Sequence, residues 1–288
     1  MKLIFFLFGF LLFTIKAQTV TIAAAGDIAC VAQETIAKTY CQMLATSDLI
    51  LNEGVQAVLA LGDLQYPAGD LSDFQNSYDL SWGRFKDITY PVAGNHEYHT
   101  ENAQGYFDYF GALAGDPSKG YYSFDLGSWH MVALNSNCDA VDCDESSEQV
   151  KWLESDLALH PSTCTLAFWH HPRFSSGPHG NNNRSTAFWN TLQNHKADVI
   201  LTGHDHLYER FASKSSDGAV DPKGIRQFVV GTGGKQLYAI LNLFPKSEKI
   251  YNKNLGVLFL TLEPTSYSWR FVNIAGEVID AGQEKCVE

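Results

Sequence analysis

The chain has 288 residues, of which 45% are hydrophobic and 18% charged, and its formal net charge is −12. This is globular composition and excludes disordered and collagen-like classes. The acidic balance excludes a nucleic-acid binder that works through a basic surface, since phosphate-backbone binding needs clustered Lys and Arg. An anionic substrate remains open to such a chain where a bound metal supplies local positive charge.

At the amino terminus Lys2 precedes an apolar run, Leu3–Ile15, followed by Lys16, Ala17 and Gln18. A run of about thirteen residues is short for a membrane span. A basic start, a short apolar stretch and a small residue at its end predict a secretory signal peptide over residues 1–17, cleaved after Ala17; an uncleaved membrane anchor is the alternative. The expected location is therefore extracellular, or periplasmic in a bacterium, with no membrane contact once the leader is removed. No repeat, low-complexity tract or linker interrupts residues 18–288, which read as one domain.

Val20–Ala25 is an apolar run that ends in Gly26-Asp27, and Ala57–Leu61 ends in Gly62-Asp63. Ile88–Ala93 leads into Gly94-Asn95-His96. Short Val/Ile/Leu/Ala runs closed by turn residues predict buried strands. Glu101–Leu113 is expected to be helical, and Tyr121–Asn135 reads as a β-hairpin. Ser147–His160 carries Val150, Leu153, Leu157 and Leu159 roughly on one face and predicts a helix. The strand Leu166–Trp169 runs into His170-His171-Pro172, a helix is expected over Ser185–Lys196, and the strand Val199–Thr202 runs into Gly203-His204-Asp205-His206. Hairpin material follows over Leu255–Ile279. Alternating strands and helices imply an α/β layered architecture with antiparallel strands at the edges.

Six cysteines in an exported chain favour disulfides. Cys138 and Cys143 enclose a tight polar loop, Cys30 and Cys41 are the next closest, and Cys164 and Cys286 pair by elimination. A zinc cluster is disfavoured because no CxxC spacing occurs.

The strand ends carry the functional signal. Asp27, Asp63, Asn95, His170, His204 and His206 all follow predicted strands, and ligands bind beyond the carboxyl ends of strands in open α/β sheets. Glycine precedes Asp27, Asp63, Asn95 and His204, which permits close backbone approach. One Asp after a Gly is an ordinary turn; five such strand ends in one chain are a site.

In this order the blocks Gly26-Asp27, Gly62-Asp63-Leu64-Gln65-Tyr66, Gly94-Asn95-His96-Glu97, His170-His171-Pro172 and Gly203-His204-Asp205-His206 resemble the calcineurin-like metallophosphoesterases. Most of that superfamily has Asp-x-His in the first block, whereas this chain has Ala29 two residues after Asp27. Tyr66, three residues after Asp63, stands where the purple acid phosphatases carry a Tyr in place of that His. The resemblance is therefore to the purple acid phosphatase branch, in a compact single-domain form. It implies a four-layer α/β/β/α sandwich of two mixed sheets flanked by helices. It also implies two metal positions: Asp27, Asp63, Tyr66 and His206 for the first, and Asp63, Asn95, His170 and His204 for the second, with Asp63 bridging. His171 is the alternative to His170. The phenolate-containing set suits Fe³⁺, and the set with two imidazoles suits Fe²⁺, Zn²⁺ or Mn²⁺.

The implied reaction is attack of a metal-bound hydroxide on the phosphorus of a small-molecule phosphomonoester. His96 is expected to contact the phosphoryl group and assist the leaving oxygen; His179 resembles a second substrate-facing His. Phosphodiester or nucleotide hydrolysis on the same core, and a catalytically silent metal-binding protein, are the competing readings. Ser175-Ser176-Gly177 lacks the Gly-x-Ser-x-Gly pattern of a hydrolase elbow. Gly231–Lys235 lacks P-loop spacing and reads as a tight strand-to-strand turn at the rim of the site. Glu209 and Arg210 are read as a structural ion pair, and Arg173 as buried support or a substrate contact. Asn183-Arg184-Ser185 fits a glycosylation acceptor.

Overall fold

The protein is represented by a computed structural model that describes residues 19–31, 41–240, 243–244 and 246–287. The signal peptide expected over residues 1–17 lies outside the described residues. No helix among the described residues is long and apolar enough to cross a membrane.

Among the described residues, thirteen strands form two mixed sheets. The first contains β1 (Val20–Ala25), β2 (Ala57–Leu61), β3 (Thr89–Val92), β11 (Gly256–Glu263), β12 (Ser266–Asn273) and β13 (Val278–Lys285), in the order β13-β12-β11-β1-β2-β3. The second contains β4 (Tyr122–Leu126), β5 (Trp129–Ala133), β6 (Cys164–Phe168), β7 (Val199–Thr202), β8 (Tyr208–Phe211), β9 (Arg226–Val230) and β10 (Ser247–Tyr251), in the order β10-β8-β9-β7-β6-β5-β4. β1, β2 and β3 are mutually parallel, as are β5, β6, β7 and β9. The remaining strands add on antiparallel toward the edges. α1 (Met43–Glu53) and two short helices, α2 (Leu71–Asp73) and α3 (Gln104–Phe110), lie with the first sheet. α4 (Glu148–Leu159) and α5 (Thr186–Asn194) cover the second. The four-layer expectation holds.

The second sheet shows how sequence builds the layers. Side chains alternate between faces along a strand. Leu166, Phe168, Val199, Leu201, Phe228 and Val230 enter the core shared with the first sheet, whereas Ala167, Ile200 and Val229 face the cluster formed with α4 and α5. Both faces are buried, so these strands read as continuous apolar runs. Aromatic pairs join the sheets: Tyr208 stacks on Phe271 at 4.1 Å, and Tyr90 on Phe124 at 3.8 Å between ring centroids.

Some elements depart from the sequence expectation. α1 was not foreseen, because its buried face includes Thr46 and Ser47 in place of an apolar stripe. Thr46 accepts a hydrogen bond from the Trp82 indole at 3.1 Å. The helix expected over Glu101–Leu113 is broken by left-handed backbone at Asn102, Ala103 and Gly111, which confines α-helix to Gln104–Phe110. The expected ion pair between Glu209 and Arg210 does not form, because neighbours on a strand point to opposite faces. Glu209 accepts hydrogen bonds from the Ser176 backbone and hydroxyl, while Arg210 binds Glu248 and Asp280. Arg173 is buried support: it donates to the Ser216 carbonyl at 2.9 Å and lies over Phe174. The Gly231–Lys235 segment is not a tight turn between strands, since β10 begins only at Ser247. It packs under the first strand, where Gly233 donates to the Gly26 carbonyl and Lys235 to that of Asp27. All three expected disulfides are present, and Cys164–Cys286 ties the end of β13 to the start of β6.

A charged network closes the same end of the sandwich. Asp280 of β13 accepts from Arg210 at 2.7 Å, from Tyr208 at 2.7 Å and from Trp269 at 3.2 Å. Glu284 accepts from Arg226 at 2.7 Å and Tyr267 at 2.8 Å. Burial alone would raise both carboxyls, but these donors and the guanidinium charges hold both below their ordinary values. The native state thus binds fewer protons than the unfolded chain. The network's stabilisation is present above the ordinary carboxylate range and is lost as pH falls through the depressed native values. Asp280→Asn is expected to cost about 3 kcal/mol in urea unfolding at neutral pH, and to make stability less steeply dependent on pH in the acid range. An unchanged acid-unfolding profile would remove the network from that role.

Candidate metal centre

The centre lies on the seam between the two sheets. Asp27, Asp63 and Asn95 follow β1, β2 and β3 of the first sheet; His170, His204 and His206 follow β6 and β7 of the second. Three of these residues, Asp27 (φ 61°), Asp63 (φ 48°) and His204 (φ 70°), adopt left-handed backbone. Such conformations are uncommon for residues other than glycine and cluster at functional sites. The preceding glycines serve close approach. A Cβ on Gly94 would stand 2.2 Å from Asp63 Oδ1, and one on Gly203 would stand 2.7 Å from Asp27 Oδ2. Each block leaves room for a carboxylate of another block.

The sequence-predicted residues form two overlapping groups. The Tyr66 hydroxyl is 3.1 Å from Asp27 Oδ1, 3.2 Å from Asp63 Oδ2 and 3.0 Å from His206 Nε2. His206 Nε2 is 3.2 Å from Asp27 Oδ1. On the other side His170 Nε2 is 3.3 Å from Asp63 Oδ2, and His204 Nδ1 is 3.2 Å from His170 Nε2. Asp63 belongs to both groups. The second nitrogen of His170 faces the Leu61 carbonyl at 2.8 Å, and that of His206 faces the Gln236 carbonyl at 2.7 Å. Such carbonyl contacts fix the ring orientation and leave Nε2 toward the centre. Asn95 Oδ1 is buried and has no hydrogen-bond partner among the described residues. His171 is adjacent, with its ring 4.4 Å from that of His204, but its Nδ1 is bonded to Ser136 Oγ at 2.9 Å.

Electrostatics follow from burying two carboxylates together. Burial opposes a charge on Asp63, yet the His170 charge and hydrogen bond, aided by His96, hold its carboxyl far below the usual range. Burial also works against a charged His170, but Asp63 overcomes it and holds that ring at about 9. His206 is likewise raised by Asp27 against burial. Burial and the nearby His170 charge push His171 down to about 3 and depress His204 strongly. Burial, then the charges of Asp63 and Asp27, keeps the Tyr66 phenol well above its ordinary value. The centre favours positive charge on the rings that face its carboxylates, His170 and His206, and opposes it on His171 and His204.

His96 and His179 flank this cluster. His96 Nδ1 is 2.6 Å from the Pro67 carbonyl, and its Nε2 is 3.8 Å from Asp63 Oδ2. The His179 ring lies 4.2 Å from that of His204. Ser175 and Ser176 are bonded to Asp205 and Glu209 and are not arranged as nucleophiles. The Asn183 acceptor is exposed in a short 3₁₀ turn.

Two residues escaped the sequence analysis. Tyr238 stacks on His206 with centroids 3.9 Å apart and planes 7° off parallel; it lies far downstream of every motif. Glu97 was visible in its block but carried no assigned role. Its fully buried carboxylate accepts N–H bonds from Gly94 (2.7 Å), Asp63 (2.9 Å), Leu64 (2.8 Å) and Gln65 (3.2 Å). It therefore locks the second block to the third. Burial and the Asp63 charge push this carboxyl up to about 7 against those donors.

Fold and site together define a phosphoesterase scaffold. The calcineurin-like phosphoesterase family model matches residues 20–208, and the chain belongs to that family. Among curated relatives it is 30% identical over 182 residues to purple acid phosphatase 15 of Arabidopsis thaliana, covering 57% of this chain and 33% of the relative. It is 28% identical over 202 residues to the Fe(3+)-Zn(2+) purple acid phosphatase 12 of the same plant, covering 61% and 41%. The matches span less than half the length of these relatives. The structure superposes on purple acid phosphatase PPD1 from yellow lupin (Lupinus luteus) seeds with a TM-score of 0.80 and 18% identity, over 94% of this chain and 54% of that one, which shows a shared fold.

Glu97→Gln replaces one acceptor oxygen with a donor facing two N–H groups. It is expected to cost about 2–4 kcal/mol in denaturant unfolding and to lower the metal content of the purified protein. Wild-type stability with full metal content would show that the carboxylate is dispensable.

Proposed function

We propose that this chain is a metal-dependent phosphoric ester hydrolase, acting on small phosphomonoesters as an acid phosphatase does, and that it works outside the cell after loss of residues 1–17. The observation that carries the reading is the pair of donor groups sharing Asp63 on the seam between the sheets. The donor chemistry fits two ions. Asp27, Asp63, Tyr66 and His206 form a hard, anionic set suited to Fe³⁺, and Asp63, Asn95, His170 and His204 suit a divalent ion. The unpartnered buried Oδ1 of Asn95 is an acceptor that a cation would satisfy. One relative carries Fe(3+)-Zn(2+) in its name.

Two ions held there would supply Lewis acidity toward phosphoryl oxygens and lower the pKa of water. The chain's own residues would do the rest. With Nδ1–H donated to the Pro67 carbonyl, His96 presents Nε2 to the cluster, where it can hold a proton for the leaving oxygen. His179, beside His204, is placed to bind a phosphoryl oxygen. Tyr238, packed flat on His206, limits that ring's rotation and shields it from water.

The test is hydrolysis of an aryl phosphate monoester against the matching diester by the metal-loaded protein. A monoester preference is expected; a diester preference would overturn the substrate class, and no turnover with both ions bound would favour a silent metal-binding protein. Prolonged chelation is expected to abolish turnover, and Asp63→Asn to lose metal and activity together. His96→Ala is expected to keep its metal while kcat falls about 10²-fold or more. A full rate in that variant would remove His96 from the reaction. Amino-terminal sequencing of the exported protein should begin at Gln18.

A further inference from the structure

A second cluster of ionisable side chains lies at the other end of the second sheet. His130 of β5 is buried, and both of its ring nitrogens face carboxylates: Nδ1 is 2.8 Å from Asp125 Oδ1, and Nε2 is 2.8 Å from Asp156 Oδ2. Asp125 sits opposite it on β4, and Asp156 projects from α4. The half-exposed His160, just past the end of α4, lies parallel to His130 with ring centroids 4.9 Å apart and a 12° interplanar angle. Its Nδ1 faces the Asp156 backbone carbonyl at 2.9 Å and lies 3.3 Å from Asp156 Oδ1. The Ser123 hydroxyl donates to Asp156 Oδ1 at 2.7 Å and helps to fix the carboxylate. His130 pairs in register with Thr165, five residues before His170, which puts the cluster roughly 16 Å along the strand from the metal centre.

This is not a cluster of acidic groups alone. A buried imidazole oriented by a carboxylate at one nitrogen, with its other nitrogen turned to a second carboxylate, is an arrangement that zinc ligation uses, and a further imidazole lies beside it. The candidate ligand atoms of His130, Asp156 and His160 all lie within 4.8 Å of one another. Two carboxylates on one buried ring require a positive charge between them, which either a proton on that ring or a divalent ion can provide.

We propose that His130, Asp156 and His160 form a separate site for a borderline divalent cation, Zn²⁺ foremost, with Asp125 orienting His130 and a fourth position open to water. The ion would pin the β4–β5 hairpin to the end of α4. Two nitrogens and one oxygen favour Zn²⁺ over Ca²⁺ or Mg²⁺, which prefer oxygen ligands.

The test compares the full-length mature protein with His160→Ala, each equilibrated with Zn²⁺ near neutral pH, dialysed, and assayed for metal. The difference between the two proteins is the readout, so it is independent of how many ions the other centre retains. The wild type is expected to hold one more Zn²⁺ per chain, with the phosphoesterase rate per folded molecule unchanged by the substitution. Asp125→Asn keeps all three ligands and is expected to weaken Zn²⁺ binding here by about 10–100-fold. Because Asp125 is exposed, that variant provides the reading should His160→Ala fold poorly. Equal Zn²⁺ content and affinity in wild type and variants would overturn the site.

Discussion

Two carboxylates, Asp27 and Asp63, are buried beside each other between two sheets, and the surrounding structure is organised around that constraint. Buried charge is tolerated only when it is paired and hydrogen-bonded. Backbone N–H groups supply part of the answer: His204 donates to Asp27 Oδ2 at 2.8 Å, and His96 to Asp63 Oδ1 at 2.9 Å. These donors are in place only because His204 and the two aspartates adopt left-handed backbone and because glycines let the blocks approach. Glu97 adds a third buried carboxylate whose purpose is to gather N–H groups from both neighbouring loops. The loops are rigid because their amides have acceptors.

The seam also explains why the sandwich matters to the chemistry. One donor set draws His206 from the second sheet and its oxygens from the first, while the other combines His170 and His204 with Asp63. A slip of one sheet against the other would separate both sets. Several contacts resist such a slip near the centre: Gly26 donates to the Val230 carbonyl, and His170 faces the Leu61 carbonyl. Farther away, the Arg210, Arg226, Asp280 and Glu284 network and the Cys164–Cys286 bridge hold the same two sheets together. Strands that carry no functional residue therefore still set the spacing of the site.

The same electrostatic logic recurs at two places in this acidic chain. At both, carboxylates and imidazoles are held in contact. At the centre, Asp63 raises His170 and Asp27 raises His206 against burial. At the far end of the sheet, Asp125 and Asp156 raise His130 in the same way. In both, paired carboxylates and rings form a group that accepts a compact positive charge. The two clusters differ in what they offer: a shared carboxylate, a phenol and an orphan amide oxygen at the seam, and a single buried ring with one exposed partner at the hairpin.

Much of this was legible in the amino-acid order. Apolar runs ending in Gly-Asp, Gly-Asn-His and Gly-His-Asp-His marked the strands and their chemistry, because a buried parallel strand must be apolar throughout and must deliver its ligands at its carboxyl end. The three disulfides followed from loop size and elimination. Less legible were elements whose buried faces are polar, such as α1 with Thr46 and Ser47, and β8 with its charged Glu209 and Arg210. Their apolar periodicity is masked by partners that only the fold supplies. Glu97, Tyr238 and the His130 cluster stayed hidden for the same reason. A carboxylate gathering four amides, a ring stacked on a distant histidine and an imidazole between the acids of a strand and a helix are relations across space. The amino-acid order determined which donors stand at each strand end; the packing of one sheet on the other decided which of them meet.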